Sequence, residues 1–96
     1  MKAQEPMRKR EELLEDASAA ISGERNLEYG EPIDDFSRIA ALWTTFFGFR
    51  FEPADVAAAL VLMKCSRLAH CSTKRDTWMD IAGYAACGYE VANVEQ

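Results

Sequence analysis

Phe36-Ser37-Arg38-Ile39-Ala40-Ala41-Leu42-Trp43-Thr44-Thr45-Phe46-Phe47-Gly48 sets Phe36, Ile39, Ala40, Trp43, Phe46 and Phe47 three and four residues apart. That spacing is one face of an α-helix, and the period-two alternation of a strand does not fit it. The aromatic stripe predicts a helix over about 32–47 that anchors the core and stops at Gly48. Pro32 suits the first helical position, where its missing N–H would be unpaired anyway. Asp34 and Asp35 then meet the positive end of the helix dipole.

Three more segments carry the same period. A first helix over about 7–22 places Leu13, Leu14, Ala17, Ala20 and Ile21 on one stripe, and Gly23 ends it. A polar link, Glu24 to Glu31, leads to Pro32. A third helix over about 53–70 is apolar nearly all round from Val56 to Met63, which predicts a central position. A fourth, over about 73–92, is capped by Thr73 with Asp76 three residues on, and packs through Trp78, Ile81, Ala82, Ala85, Tyr89 and Ala92. Its Gly83, Ala86, Cys87 and Gly88 cost about 1 kcal/mol per glycine, so close approach of another helix is expected, from the third helix or from a second copy. The expected fold is all-α: one compact, four-helix bundle-like domain spanning residues 1–96 that self-associates.

Composition agrees. The chain has 96 residues, 49% apolar and 28% charged, the size of one domain. Such a domain buries only ~60% of its unfolded surface, so its margin is thin. The longest uncharged stretch, Ile39 to Phe49, falls short of the roughly 20 residues that span a bilayer. A net charge of −5 disfavours direct nucleic-acid binding, which depends on Lys and Arg at phosphates, and favours basic protein surfaces as partners. Met1 to Asp16 lacks the apolar core of a secretory signal, which places the chain in the cytoplasm. Cys65, Cys71 and Cys87 are odd in number and lack C-x-x-C spacing, so free and mostly buried thiols are expected.

Three sets of side chains are candidates for function. An acidic face of Glu11, Glu12, Glu15, Asp16, Asp34 and Asp35 would meet a basic partner. Arg25, Lys64, Arg67, Lys74 and Arg75 could bind phosphate, most of them around the elbow between the last two helices, where C-capping and ion pairs are the structural alternative. Glu11, Glu12 and Glu15 with Asp76 and Asp80 could hold Mg²⁺, a hard cation that takes oxygen ligands; a solvated first helix and internal salt bridges to Arg38, Lys64 or Arg67 are the alternative. One histidine and no nucleophile context assemble no catalytic triad.

Arg25-x-x-x-Tyr29-Gly30-Glu31-Pro32, Phe36-x-Arg38-Ile39-Ala40-Ala41-Leu42-Trp43, Lys64-x-x-Arg67-Leu68 and Asp76-Thr77-Trp78-x-Asp80-Ile81-Ala82-Gly83-Tyr84 resemble small phage and prophage proteins over residues 20–92. The resemblance implies a phage origin and a helical protein of the host cytoplasm. Trp78-x-Asp80-Ile81 is also similar to the last helix of some MazG-type all-α nucleotide pyrophosphohydrolases, which implies Mg²⁺ chemistry on pyrophosphate. Here, however, two helices separate the acid motifs, and the third helix has no acid after Asp55.

These readings point to binding rather than catalysis, with no cofactor. The leading expectation is an inhibitor of a host system, such as an anti-CRISPR or other anti-defence protein, occupying a basic surface of a host protein as a homo-oligomer, since small cores gain from association. The alternative is a nucleotide-directed protein, either a divergent Mg-dependent pyrophosphohydrolase or a nucleotide sponge.

Overall fold

Pro32, Pro53 and the cations near residue 70 do mark helix ends. The computed structural model describes residues 6–94, apart from the side chains of Glu24 and Arg25. Within that span the chain is all-α and forms α1 (Lys9–Ala20), α2 (Glu24–Tyr29), α3 (Pro32–Phe47), α4 (Pro53–His70) and α5 (Arg75–Ala92). Pro32 and Pro53 each sit in the first turn of their helix. Arg67 and His70 occupy the last turn of α4, where cations favour the dipole. No helix of the described residues is long and apolar enough to cross a membrane.

Several local expectations are corrected. The polar link is not all loop, because its first residues form the short helix α2. Helix α1 ends at Ala20 with Ile21 as its C-cap, and Gly23 instead precedes α2 as its N-cap. Helix α5 starts at Arg75 after Lys74 and has no side-chain cap, so Thr73 does not cap it. The Asp55 carboxylate of α4 accepts the Glu52 backbone N–H at 2.7 Å, an N-terminal capping contact at the other proline-led helix.

The core is a thin layer across α3, α4 and α5: Phe36 and Ala40, Val56 and Ala57, Cys87 and Val91. The α4/α5 hairpin is its most extensive contact, with α3 laid on α4 and α1 on α5. Helix α4 is therefore central as expected, although Leu62 and Met63 on its far side face solvent. The small residues of α5 do permit close approach: a Cβ on Gly88 would lie 2.9 Å from Cβ of Ala57.

The aromatic stripe of α3 divides. Phe36 and Ala40 are buried and Trp43 packs on the core, whereas Phe46 and Phe47 are exposed. At 3.6 residues per turn, Phe46 lies roughly 100° around the helix from the Phe36/Ala40/Trp43 seam. Phe47 stays on the seam but lies in the last turn of the helix, next to Gly48. Trp78 and Tyr89 on α5 and Leu14 on α1 are likewise exposed rather than core. Of the three cysteines, expected to be mostly buried, only Cys87 is.

Candidate functional site

The residues between α1 and α3 build the mouth of a cleft. Gly30 adopts φ 82° and ψ 179°, a backbone region essentially confined to glycine, and turns the chain from α2 towards Pro32. The turn places the Tyr29 carbonyl where it accepts a hydrogen bond from the Arg38 guanidinium at 3.4 Å. The same guanidinium lies 3.7 Å from the Asp35 carboxylate, one helical turn back on α3.

The opposite wall is α5. Asp80, Gly83, Tyr84 and Cys87 follow at i, i+3, i+4 and i+7 and so share one face. A Cβ on Gly83 would come within 3.0 Å of the Ile21 side chain, which shows how tightly the end of α1 rests on this wall. Lys64 reaches across from α4 and holds the Asp80 carboxylate at 2.7 Å, its own side chain only 11% exposed.

Between the walls lies a narrow cleft, part of it open to solvent. Ala17, Ala20, Ile21, Phe36 and Met79 supply apolar lining. Asn26, Tyr29, Asp35, Asp80 and Tyr84 supply the polar groups. The lining resembles that of small-molecule sites, which are mostly apolar with a few convergent polar groups. Carboxylate oxygens accept hydrogen bonds, the Asn26 amide donates and accepts, and phenol rings add flat surface. The cleft is thus suited to a planar ligand that carries hydrogen-bond donors on its edge.

The three sets anticipated from the sequence are placed differently. On the acidic face, Glu11, Glu12, Glu15 and Asp34 are exposed, while Asp16 is paired with Arg75 and Asp35 turns into the cleft. Of the cations, Lys64 and Arg75 are held by Asp80 and Asp16. Arg67 lies against the Met63 sulfur at 3.8 Å, Lys74 is exposed, and the Arg25 side chain lies outside the described residues. Among the described residues no three His, Cys, Asp or Glu side chains are grouped so as to hold a metal ion, so Glu11, Glu12, Glu15, Asp76 and Asp80 do not form one ligand set. Asn26 and Tyr84 stand in none of these three sets. The one available signal was the face of α5 itself, an acid followed by a glycine and an aromatic at helical spacing.

At the α4/α5 elbow the exposed Cys71 thiol lies 3.5 Å from the Thr73 hydroxyl. The hydrogen bond from the Thr73 side chain, then that from its backbone, lowers the Cys71 pKa below the usual thiol range. A lower pKa means more thiolate, the form that reacts with electrophiles. Thr73→Val is therefore expected to slow alkylation of Cys71 by iodoacetamide a few-fold near neutral pH, read by mass mapping. An unchanged rate would show that the hydroxyl does not tune the thiol.

Fold and cleft together define a small all-α domain with a partly open cleft at its helix junctions. The chain belongs to the family described as "Domain of unknown function (DUF6378)", which it matches over residues 12–92. It is similar to the Gene 55 protein of Mycobacterium phage D29, 40% identical over 77 residues that cover 80% of this chain and 51% of that protein. The Gene 55 protein of Mycobacterium phage L5 is 39% identical over 74 residues, covering 76% of this chain and 47% of that protein. The chain thus spans about half the length of these curated relatives. No solved structure matches it significantly. The family is phage-associated, as the sequence resemblance implied.

Proposed function

We propose that the chain is a phage-encoded binding protein of the host cytoplasm whose cleft takes a nucleotide-class ligand and sequesters it. The observation that carries this reading is the convergence of Asp35, Asp80, Asn26, Tyr29 and Tyr84 on an apolar cleft that is partly open to solvent. A nucleobase has flat apolar faces and edge N–H donors, which apolar lining and carboxylate oxygens complement. Phosphates would be repelled by the interior acids. They are better met by Arg38, which is exposed beside the mouth and held there by Asp35 and the Tyr29 carbonyl. Because the five carboxylates considered for Mg²⁺ are not grouped, binding without hydrolysis is the reading they favour.

Thermal-shift measurement of the purified chain tests this. Nucleoside monophosphates, nucleoside triphosphates and cyclic oligonucleotides are screened with and without Mg²⁺, since a ligand of the native state adds about 2.7 kcal/mol at a hundredfold excess over Kd. A rise of several degrees with one of them, independent of Mg²⁺ and lost in Asp35→Asn and Tyr84→Phe, is the expected result. No rise with any nucleotide would overturn the cleft reading. A rise that needs Mg²⁺ would replace the sponge with a divergent pyrophosphohydrolase.

A second reading, an inhibitor of a host defence system, is favoured by the exposed Glu11, Glu12 and Glu15 on α1. A ridge of this charge gains on-rate towards a basic protein surface. Reversing these three charges should then abolish salt-sensitive capture of a host protein. Inhibition that survives the reversal would remove the acidic face from the mechanism.

A further inference from the structure

We infer that the aromatic end of α3 and the turn into α4 form the interface of a homodimer. Leu42 and Phe46 are 68% and 82% exposed on the outer side of α3, and Phe49 is 61% exposed in the turn. Phe46 and Phe49 belong to a run of ring contacts that passes through Phe47 and Phe51 to the core. The Phe46 and Phe47 centroids are 5.0 Å apart, those of Phe47 and Phe51 5.8 Å, and those of Phe49 and Phe51 4.9 Å. Phe51 in turn meets Trp43 edge-on at 5.6 Å, and both pack on the buried cluster. The core of this domain therefore reaches the surface at one end, the kind of patch that marks an interaction site.

The chain as a whole exposes more surface than a compact monomer of its mass. A compact monomer of 10.8 kDa exposes about 5,500 Å², whereas this chain exposes 7473 Å². Even if each of the seven residues outside 6–94 contributes the roughly 160 Å² of an unfolded residue, an excess on the order of 800 Å² is left. A standard stable interface buries about 800 Å² per partner.

Charge selects a second copy as the occupant. Ile39 to Phe49 carries no charge, and the flanking Arg50 and Glu52 neutralise each other at 2.6 Å. Two chains of net charge −5 repel through most of their surface, but not here. An apolar, neutral patch can face its own copy across a twofold axis. A lipid surface is the poorer occupant, because membrane-binding helices carry Lys and Arg on their polar face and α3 has only Arg38.

Light scattering coupled to size exclusion, on the full chain at micromolar concentration, should give twice the 10.8 kDa chain mass. Phe46→Asp should reduce this to the mass of one chain with helical circular dichroism retained. Leu62→Asp, on the exposed side of α4, should leave the dimer intact. A monomeric wild type, including one that co-floats with phosphatidylcholine vesicles, would overturn the inference. So would a dimer that survives Phe46→Asp or is lost in Leu62→Asp. If Phe46→Asp does not fold, Phe46→Ala takes its place. It should weaken the dimer at least tenfold by sedimentation equilibrium, and an unchanged dissociation constant would refute the interface.

Discussion

Phe36→Ala is expected to lower the stability of the domain by about 3–5 kcal/mol, the range for truncating a buried phenylalanine. Phe36 is buried in the α3/α4/α5 layer and also lines the cleft, so truncation removes ring contacts to the core and enlarges the cleft floor. For a chain of this length total stability is roughly 5–15 kcal/mol, so one side chain carries a large share of it. The unfolding midpoint should fall by about 15–30 °C at fixed protein concentration. In urea the midpoint concentration should drop with little change in slope, because the surface exposed on unfolding is nearly the same. A shift of only a few degrees would mean that α3 does not pack on α4 through this ring.

Gly88→Ala is expected to destabilise by about 1–2 kcal/mol, although alanine is the better helix former by about 1 kcal/mol. The new methyl would sit 2.9 Å from Cβ of Ala57, an atom fixed to the α4 backbone. The two helices would have to separate, and overpacking of this kind costs roughly 1–3 kcal/mol before any helix gain. Gly83→Ala is the internal control. Its methyl meets Cγ2 of Ile21 at 3.0 Å, a slightly longer contact than that at Gly88 and one made to a residue of a turn and not of a packed helix. Its propensity gain should offset the contact and leave stability within about 0.5 kcal/mol of wild type. Equal effects at the two glycines in thermal melts would contradict the α4/α5 packing.

The two glycines also show how far sequence reasoning reaches. Their cost to helix propensity signals that α5 must be approached closely, and the third predicted helix, now α4, is the element that does so at Gly88. Which neighbour meets Gly83 was not legible, because Ile21 lies more than sixty positions away and its contact depends on how α1 lies on α5. The same holds for the ion pairs. Lys64 with Asp80 was among the pairings anticipated. Arg75 with Asp16 was not, since it joins two residues that had been assigned to opposite functional sets.

The cleft illustrates the harder case. Asp35 read as part of an acidic face and Asp80 as part of a metal site, each by its local neighbours. In the folded chain both line one cavity with Asn26 and Tyr84, contributed by α2 and α5. Local spacing identifies which residues share a helix face, but not which faces meet.

By itself the sequence determined the all-α class, the extents of α3, α4 and most of α5, and the proline starts and glycine stop, because apolar periodicity and backbone chemistry are local properties. Tertiary structure alone decided which aromatic side chains of α3 are covered, that part of the polar link coils into α2, and that four helices enclose a cleft. Those outcomes depend on the angle and offset at which helices pack, which arise from contacts between residues far apart in the chain.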